Sequence, residues 1–113
     1  MLRDAIARAS ERSCVIVDCL ALWVANLQER GWLDDAIVEE ADAVAGDLAA
    51  RGASIVVTNE VGMGIVPHTP LGRAFRDLLG RVNVAVVRQA DSAFLVVAGR
   101  ALPLLTPDKE SIR

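Results

Sequence analysis

Two carboxylates stand where apolar runs of this 113-residue sequence end. Asp18 closes the run 14–17, and Glu60 follows the run 53–57, inside a segment that also carries Gly62 and Gly64. Apolar runs of this length read as buried strands, and open parallel α/β sheets bind ligands at the carboxyl ends of their strands. Converging carboxylates suit a divalent cation or acid–base chemistry. The sequence therefore predicts a site where the two runs end.

Asp18 has two interpretations that the residues alone leave open. Four apolar residues followed by Asp resemble a Walker B segment, whose carboxylate holds Mg²⁺ or orients its waters beside nucleotide phosphates. Asp is also a favoured N-cap, and apolar spacing predicts a helix over 20–27. The pattern is short and occurs by chance in many proteins, so it does not decide between a metal ligand and a cap.

The segment 58–67 offers further candidates, each with a structural alternative. Glu60 is either an acid–base group or a solvated turn residue. Gly62 and Gly64 either let the backbone approach a phosphate or supply the positive φ of a turn. His68, the one histidine, is better explained as a solvated loop side chain than as a catalytic group.

A second set of candidates lies on the helix predicted over 71–86. Arg81, with neighbouring arginines, suits a phosphate clamp. Asp77 lies among those arginines, however, and favours a solvated face with ion pairs at i±4. Asn83 is polar between apolar positions, which predicts that its side chain caps or contacts something.

The pattern of the whole chain predicts an α/β fold. Helices are expected over 2–11, 20–27, 34–51 and 71–86, and all-apolar strands over 14–17, 53–58 and 93–98. Strands without polar alternation predict a parallel sheet with helices on both faces. We expect one domain over 1–102 and a flexible tail over 103–113.

Composition narrows the classes of protein. The formal net charge of −3 argues against a nucleic-acid partner. The best apolar run, 14–25, is interrupted by Asp18, so no membrane span is expected, and the charged helix at the start has no signal-peptide pattern, which predicts a cytoplasmic protein. A hydrophobic fraction of 53% with a mean hydropathy of +0.37 is high. Such a composition predicts strands buried on both faces or apolar surface covered by another chain.

Several segments together resemble one family. They are 15–27, 58–67, 75–77 with 80–83, 90–91 and 95–99, within a resemblance that covers residues 14–99. The family is that of bifunctional adenosylcobinamide kinase / adenosylcobinamide-phosphate guanylyltransferase, and the segment around 59–64 is highly specific for it. The resemblance implies a P-loop, RecA-like domain that assembles into oligomers. It also implies phosphorylation of the aminopropanol hydroxyl of adenosylcobinamide, then transfer of GMP from GTP through a histidine–GMP intermediate.

The resemblance also implies roles for particular residues. Asp18 contacts the nucleotide or its Mg²⁺, and the nucleotide substrates are ATP and GTP. Glu60 lies in the same cleft and is the catalytic residue. The other residues that this match places along the cleft are Asn59, Gly62, Gly64, Arg81 and Asn83. The corrinoid is the second substrate.

The sequence departs from the family in one respect. It has no glycine-rich Walker A loop, and Lys109, its one lysine, lies in the tail. The guanylylated histidine belongs to a segment before the Asp18 strand, so His68 does not inherit that role. We therefore expect an N-terminally truncated fragment or a split enzyme that needs a complementing chain. The alternatives are a non-catalytic remnant that binds a partner chain or corrinoid, and a module of a fusion.

Overall fold

A computed structural model describes residues 1–107 of the chain. It contains four α-helices, four strands and one short 3₁₀ turn within those residues. In chain order these are α1 (Leu2–Arg8), β1 (Val15–Asp18), α2 (Leu20–Glu29), α3 (Asp34–Ala49), β2 (Ser54–Val57), the 3₁₀ turn Val61–Met63, α4 (Pro70–Val87), β3 (Ala93–Val97) and β4 (Arg100–Leu104). The four predicted helices and three predicted strands are all present, with bounds that differ by a few residues.

The core forms where the apolar faces of the helices meet one face of β1 and β2. The helix α3 begins with Asp34 and Asp35, whose charge suits the positive end of the helix dipole. Its apolar positions recur at helical spacing, as the sequence predicts. The buried core residues are Ile6, Val17, Leu20, Val24, Leu27, Ile37, Ala41, Val44, Ala45, Leu48, Leu78, Leu79, Val82 and Val86.

The helix α4 begins with a well-defined cap. Thr69 accepts a hydrogen bond at its Oγ1 from the backbone N–H of Gly72, at 3.0 Å, and Pro70 occupies the first helical position. A hydroxyl at the N-cap satisfies one of the four unpaired N–H groups of the first turn, and Pro loses nothing at that position. The helix that begins here carries Asn83, which contacts the residues after β2.

The strands β1 and β2 pair in parallel, in the register that sets Asp18 opposite Val57. The predicted parallel sheet is therefore confirmed for these two strands. One face, with Val17, is buried against the helices. On the other face Ile16 is 62% exposed and Ile55 is 54% exposed. Helices on both faces are therefore not confirmed for the described residues, because much of this second apolar face is exposed.

The third predicted strand, β3, does not join the parallel sheet. It pairs with β4 as an antiparallel hairpin in a separate sheet. The connecting residues Ala98 and Gly99 both have positive φ, at 51° and 72°. Two central residues with positive φ are typical of the turn that joins strands in a tight hairpin. The prediction of a third parallel strand is thus corrected by a local turn.

The predicted flexible tail begins too early. Pro103 and Leu104 are the last residues of β4. Pro103 has no N–H to donate, and proline in a sheet is confined largely to edge strands, which is where β4 lies. Residues 105–107 follow β4 without helix or strand, and the prediction for residues 108–113 lies outside the described residues. Within residues 1–107, no helix combines the length and the apolar character needed to cross a bilayer.

Candidate functional site

The parallel register brings the two predicted polar strand ends together. Asp18 ends β1, its pairing partner Val57 ends β2, and the segment 58–60 follows at once. Neighbouring strands in a sheet lie about 5 Å apart. Both ends therefore reach the same edge of the sheet, as the sequence predicts, and the carboxylates of Asp18 and Glu60 are both exposed there.

Asp18 does not cap a helix. The residue at the N-cap of α2 is Cys19, and that cap has no side-chain hydrogen bond. The Asp18 carboxylate makes no hydrogen bond or ion pair with any other residue that the structure describes, and only its backbone takes part in the pairing with β2. It lies at the rim of an open groove of about 350 Å³, whose other walls include Trp23 and Asn26. The interpretation of Asp18 as the N-cap of α2 is therefore wrong, and Asp18 is an exposed carboxylate at the end of a strand.

A buried amide holds the segment after β2. Asn83 on α4 is only 4% exposed. Its Nδ2 donates to the backbone carbonyl of Asn59 at 3.0 Å and to Oε1 of Glu60 at 3.3 Å. Its Oδ1 accepts a hydrogen bond from the Thr58 hydroxyl at 2.6 Å. One side chain thus binds three consecutive residues at the end of β2.

The two glycines do not provide a left-handed turn. Gly62 lies in the 3₁₀ turn Val61–Met63, and Gly64 has φ −96°. A Cβ at Gly62 would meet Arg76 at 3.8 Å, and one at Gly64 would meet the carbonyl of Val61 at 3.6 Å, both ordinary contact distances. The positive-φ alternative is therefore wrong, and the described contacts give no reason for glycine at either position.

Arg81 lies apart from the network around Asn83. It donates from Nη2 to Oδ1 of Asp35 on α3 at 2.8 Å. Asp77, the expected i±4 partner, instead contacts Arg76 at 3.0 Å. Arg81 and Gly62 border a shallow groove of about 740 Å³ between α3 and α4. The structure therefore divides the predicted cleft residues between this groove and the end of β2.

His68 is an exposed loop residue, as the sequence favours. Its backbone carbonyl accepts a hydrogen bond from Arg73 at 3.3 Å. Arg73 also donates to the carbonyl of Pro67 at 3.1 Å. These bonds fix the backbone of the loop before α4 and leave the imidazole outside the network of Asn83.

The residues at the strand ends are compatible with Mg²⁺ but not with a cage made by protein alone. Among residues 1–107, no group of three or more His, Cys, Asp or Glu side chains is placed to hold a metal ion. Mg²⁺ usually keeps several waters and uses one or two carboxylates with substrate phosphates. The exposed carboxylate of Asp18 supplies that kind of ligand.

The sequence indicates which residues belong to the site, but it does not show which of them form hydrogen bonds with one another. Asn83 is noticeable as a polar residue in an apolar stripe, yet its three partners lie 23 to 25 residues earlier. Thr58 lies in the segment 58–67, and the sequence pattern predicts no separate role for it. Its hydroxyl proves to be the donor that completes the bonding of the Asn83 amide.

The fold and the site define an α/β protein with carboxylates at the ends of paired parallel strands. The family model for cobinamide kinase / cobinamide phosphate guanyltransferase matches residues 1–104. The chain belongs to this family, which confirms the resemblance given by its motifs.

Individual relatives agree with the family model. The chain is 37% identical over 98 residues to the bifunctional adenosylcobalamin biosynthesis protein CobU of Salmonella typhimurium strain LT2, covering 75% of this chain and 54% of the relative. It is 33% identical over 104 residues to the bifunctional adenosylcobalamin biosynthesis protein CobP of Pseudomonas aeruginosa strain PAO1, covering 87% of this chain and 57% of the relative. The chain therefore spans just over half the length of these relatives.

Proposed function

We propose that this chain forms part of the nucleotide site of a cobinamide kinase / cobinamide phosphate guanyltransferase, acting in adenosylcobalamin biosynthesis. The reactions are phosphorylation of adenosylcobinamide and transfer of GMP from GTP to the phosphorylated product. One observation supports this most strongly. The segment Thr58 to Glu60, tied to Asn83, lies beside Asp18 at the carboxyl edge of a parallel strand pair.

Asp18 and Glu60 take different roles in this proposal. Asp18, whose carboxylate has no described partner, would hold a Mg²⁺ ion that accompanies the nucleotide, and that cation would neutralise charge on the phosphates. Glu60 acts as a general base and accepts the proton of the corrinoid hydroxyl as that hydroxyl attacks the γ-phosphate. The bond from the γ-phosphorus to the bridging oxygen breaks, and the nucleoside diphosphate leaves. Exposure suits both groups, because substrate oxygens must reach them. Gly62 and Gly64 are consistent with close backbone approach to a ligand, since the described backbone does not itself require glycine there.

The phosphates need electrostatic support that these residues do not supply. A glycine-rich loop of backbone N–H groups with a lysine is the usual support, and the sequence has no such pattern. We propose that a further segment supplies this loop, as a P-loop domain of the RecA-like kind requires. The exposed apolar face with Ile16, Ile55 and Val57 (41% exposed) offers surface for such a segment to cover.

The test is reconstitution with a complementing segment. The chain is co-expressed with the N-terminal segment of a bifunctional relative that carries a glycine-rich loop. ATP- or GTP-dependent phosphorylation of adenosylcobinamide and GMP transfer from GTP are then followed by mass spectrometry. We expect both products from the pair, and neither product when Asp18→Asn or Glu60→Gln is introduced into a chain that remains folded. Full activity of either variant contradicts the site assignment, and a folded pair without activity favours a non-catalytic remnant.

A further inference from the structure

We infer that Asn83 is a positioning residue that fixes the Glu60 carboxylate at the end of β2, an inference that rests on the proposed role of Glu60. The carboxylate is exposed, so water alone would solvate it. The structure nevertheless gives it a donor from the interior of the protein, at 3.3 Å. An exposed side chain with an internal donor has fewer rotamers than a solvated one.

Nearly all hydrogen-bonding groups of the Asn83 side-chain amide have a partner. Its Nδ2 has two protons, and the two acceptors within reach are the carbonyl of Asn59 and Oε1 of Glu60. Its Oδ1 accepts from the Thr58 hydroxyl. Burying an amide without such partners costs about 1–3 kcal/mol in proteins. The hydrogen bonds with residues 58–60 offset this cost. They explain why α4 carries the polar Asn83 beside the buried Val82 and opposite the end of β2.

The Asn83 amide donates from one atom and accepts at the other, so its bonds fit only one arrangement of residues 58–60. Nδ2 can only donate, so it attracts acceptors, and it orients the Glu60 carboxylate through Oε1. No described residue bonds the other oxygen of Glu60, which is left to accept a substrate proton. The 3.3 Å separation is longer than the 2.7–2.9 Å typical of charge-assisted bonds. Catalytic hydrogen bonds often tighten only in the substrate complex.

A second amide of the chain provides a matched control. Gln89, just after α4, donates from Nε2 to the backbone carbonyl and to Oδ1 of Asp42, both at 2.9 Å. It thus makes the same two kinds of bond as Asn83, to one carbonyl and one carboxylate. Its partner lies on α3, away from the end of β2. Gln89→Leu removes such a pair of bonds without touching Glu60.

The first experiment measures the Glu60 side chain directly in the full chain, without nucleotide. Three-bond NMR couplings report the χ1 and χ2 rotamers of Glu60, assigned by comparison with Glu60→Gln. We expect one dominant rotamer in the wild-type chain and in Gln89→Leu, and averaged rotamers in Asn83→Leu and Asn83→Asp. Asn83→Leu removes the Nδ2 donors and leaves an apolar side chain of similar size. Asn83→Asp keeps the shape of the side chain but replaces the donor nitrogen by an oxygen. Averaged Glu60 rotamers already in the folded wild-type chain overturn the inference.

The second experiment separates positioning from stability in the reconstituted enzyme. We expect Asn83→Leu to lower kcat about tenfold, equivalent to about 1.4 kcal/mol, while KM changes less than about twofold. Gln89→Leu should leave kcat unchanged, because the two bonds that it removes lie away from Glu60. Unchanged kcat in Asn83→Leu, or an equal loss in Gln89→Leu, overturns the inference. If the folded pair has no activity, the proposed function fails, and the rotamers of Glu60 still decide whether Asn83 positions it.

Discussion

The Thr58 hydroxyl donates a hydrogen bond of 2.6 Å to Oδ1 of Asn83, joining the end of β2 to the C-terminal part of α4 across 25 residues of sequence. This bond and the two donated by Asn83 make the segment after β2 part of the helix packing. Loops between elements are usually more mobile than the elements they connect. Here the three residues that follow the strand are held by hydrogen bonds to one buried side chain of α4.

The bond between Thr58 and Asn83 contributes to stability. Thr58→Val keeps the shape of the side chain but leaves the buried Oδ1 of Asn83 without its donor, which costs about 1–3 kcal/mol. Thr58→Ser keeps the hydroxyl and serves as the control. Urea unfolding followed by circular dichroism measures both. Equal free energies of unfolding for the valine and serine variants would show that the hydroxyl contributes nothing.

Two glycines of α4 should respond in opposite ways to alanine. A Cβ at Gly72 would lie 2.9 Å from Cβ of Pro67 and 3.0 Å from Oγ1 of Thr69, and the proline ring cannot turn aside. We expect Gly72→Ala to destabilise the protein by about 1–3 kcal/mol through overpacking. At Gly80 a Cβ would meet nothing within 4 Å. There alanine should stabilise the helix by about 0.5–1 kcal/mol.

Thermal unfolding of both variants checks this pair of predictions. Because both substitutions lie in the same helix, the change in helix propensity is common to them. The difference between their melting temperatures therefore reports the close contacts with Pro67 and Thr69. A Gly72→Ala protein as stable as Gly80→Ala would disprove the close packing at the start of α4.

Arg51 ties the segment between α1 and β1 to the end of α3. Its Nη1 donates to the carbonyl of Ile6 at 3.2 Å, and its Nη2 donates to those of Ser10 and Ser13 at 2.6 and 3.3 Å. We expect Arg51→Met to lose about 2 kcal/mol of unfolding free energy, since each such bond contributes about 0.5–1.5 kcal/mol. Amide hydrogen exchange over 9–13 should also become faster.

Arg30→Met is the control for this change. Arg30 is exposed, and its guanidinium contacts only the sulfur of Met1 among the described residues, at 3.5 Å. We expect Arg30→Met to unfold at the same urea concentration as the wild-type chain, with unchanged amide hydrogen exchange over 9–13. If Arg51→Met also behaves in this way, the three carbonyl contacts do not hold the segment in solution.

The ion pair of Arg3 with Asp47 should give a pH dependence to stability at the acidic end. The hydrogen bond from Arg3, at 2.7 Å, lowers the pKa of Asp47 below its ordinary value of 3.8. A carboxyl with a lowered folded pKa contributes stability that is complete above its unfolded pKa. That stability is lost as the pH falls through the lowered pKa. Because both side chains are near the surface, salt should weaken the effect.

Comparison with Asp47→Asn isolates this contribution. The difference in unfolding free energy between wild type and the variant, measured from about pH 6 down to about pH 2, should be constant above the unfolded pKa and shrink as the carboxyl is protonated. A difference that stays the same at every pH would mean that the ion pair is not formed in solution.

The positions of the strand ends could be predicted from the sequence, because uninterrupted apolar runs stop at Asp18 and Thr58. Parallel pairing then requires that both ends reach one edge of the sheet. The hairpin of β3 and β4 could not be predicted in the same way. Its turn is Ala98–Gly99, whereas Asn-Gly or Asp-Gly is the strong signal for this kind of connection. Alanine gives no local reason to expect a positive φ.

The contact between Asn83 and Glu60 depends on information that no local pattern contains. The sequence shows a polar residue in an apolar stripe, but the rotation of α4 against the end of β2 decides which group it meets. The exposure of Ile16 and Ile55 likewise depends on which elements pack nearby. Continuous apolar strands predict two covered faces, and the described residues cover one.

The most direct test of the nucleotide site is calorimetric titration of the purified chain with Mg-GTP. We predict weak but saturable binding by the wild-type chain, because the ends of β1 and β2 then hold the nucleotide without a glycine-rich loop. Asp47→Asn, which changes a partly exposed carboxylate on α3, should bind equally, and folded Asp18→Asn should not bind. Binding that survives Asp18→Asn would place the nucleotide elsewhere. No detectable binding by the folded wild-type chain would contradict the claim that the ends of β1 and β2 form a nucleotide site in this chain.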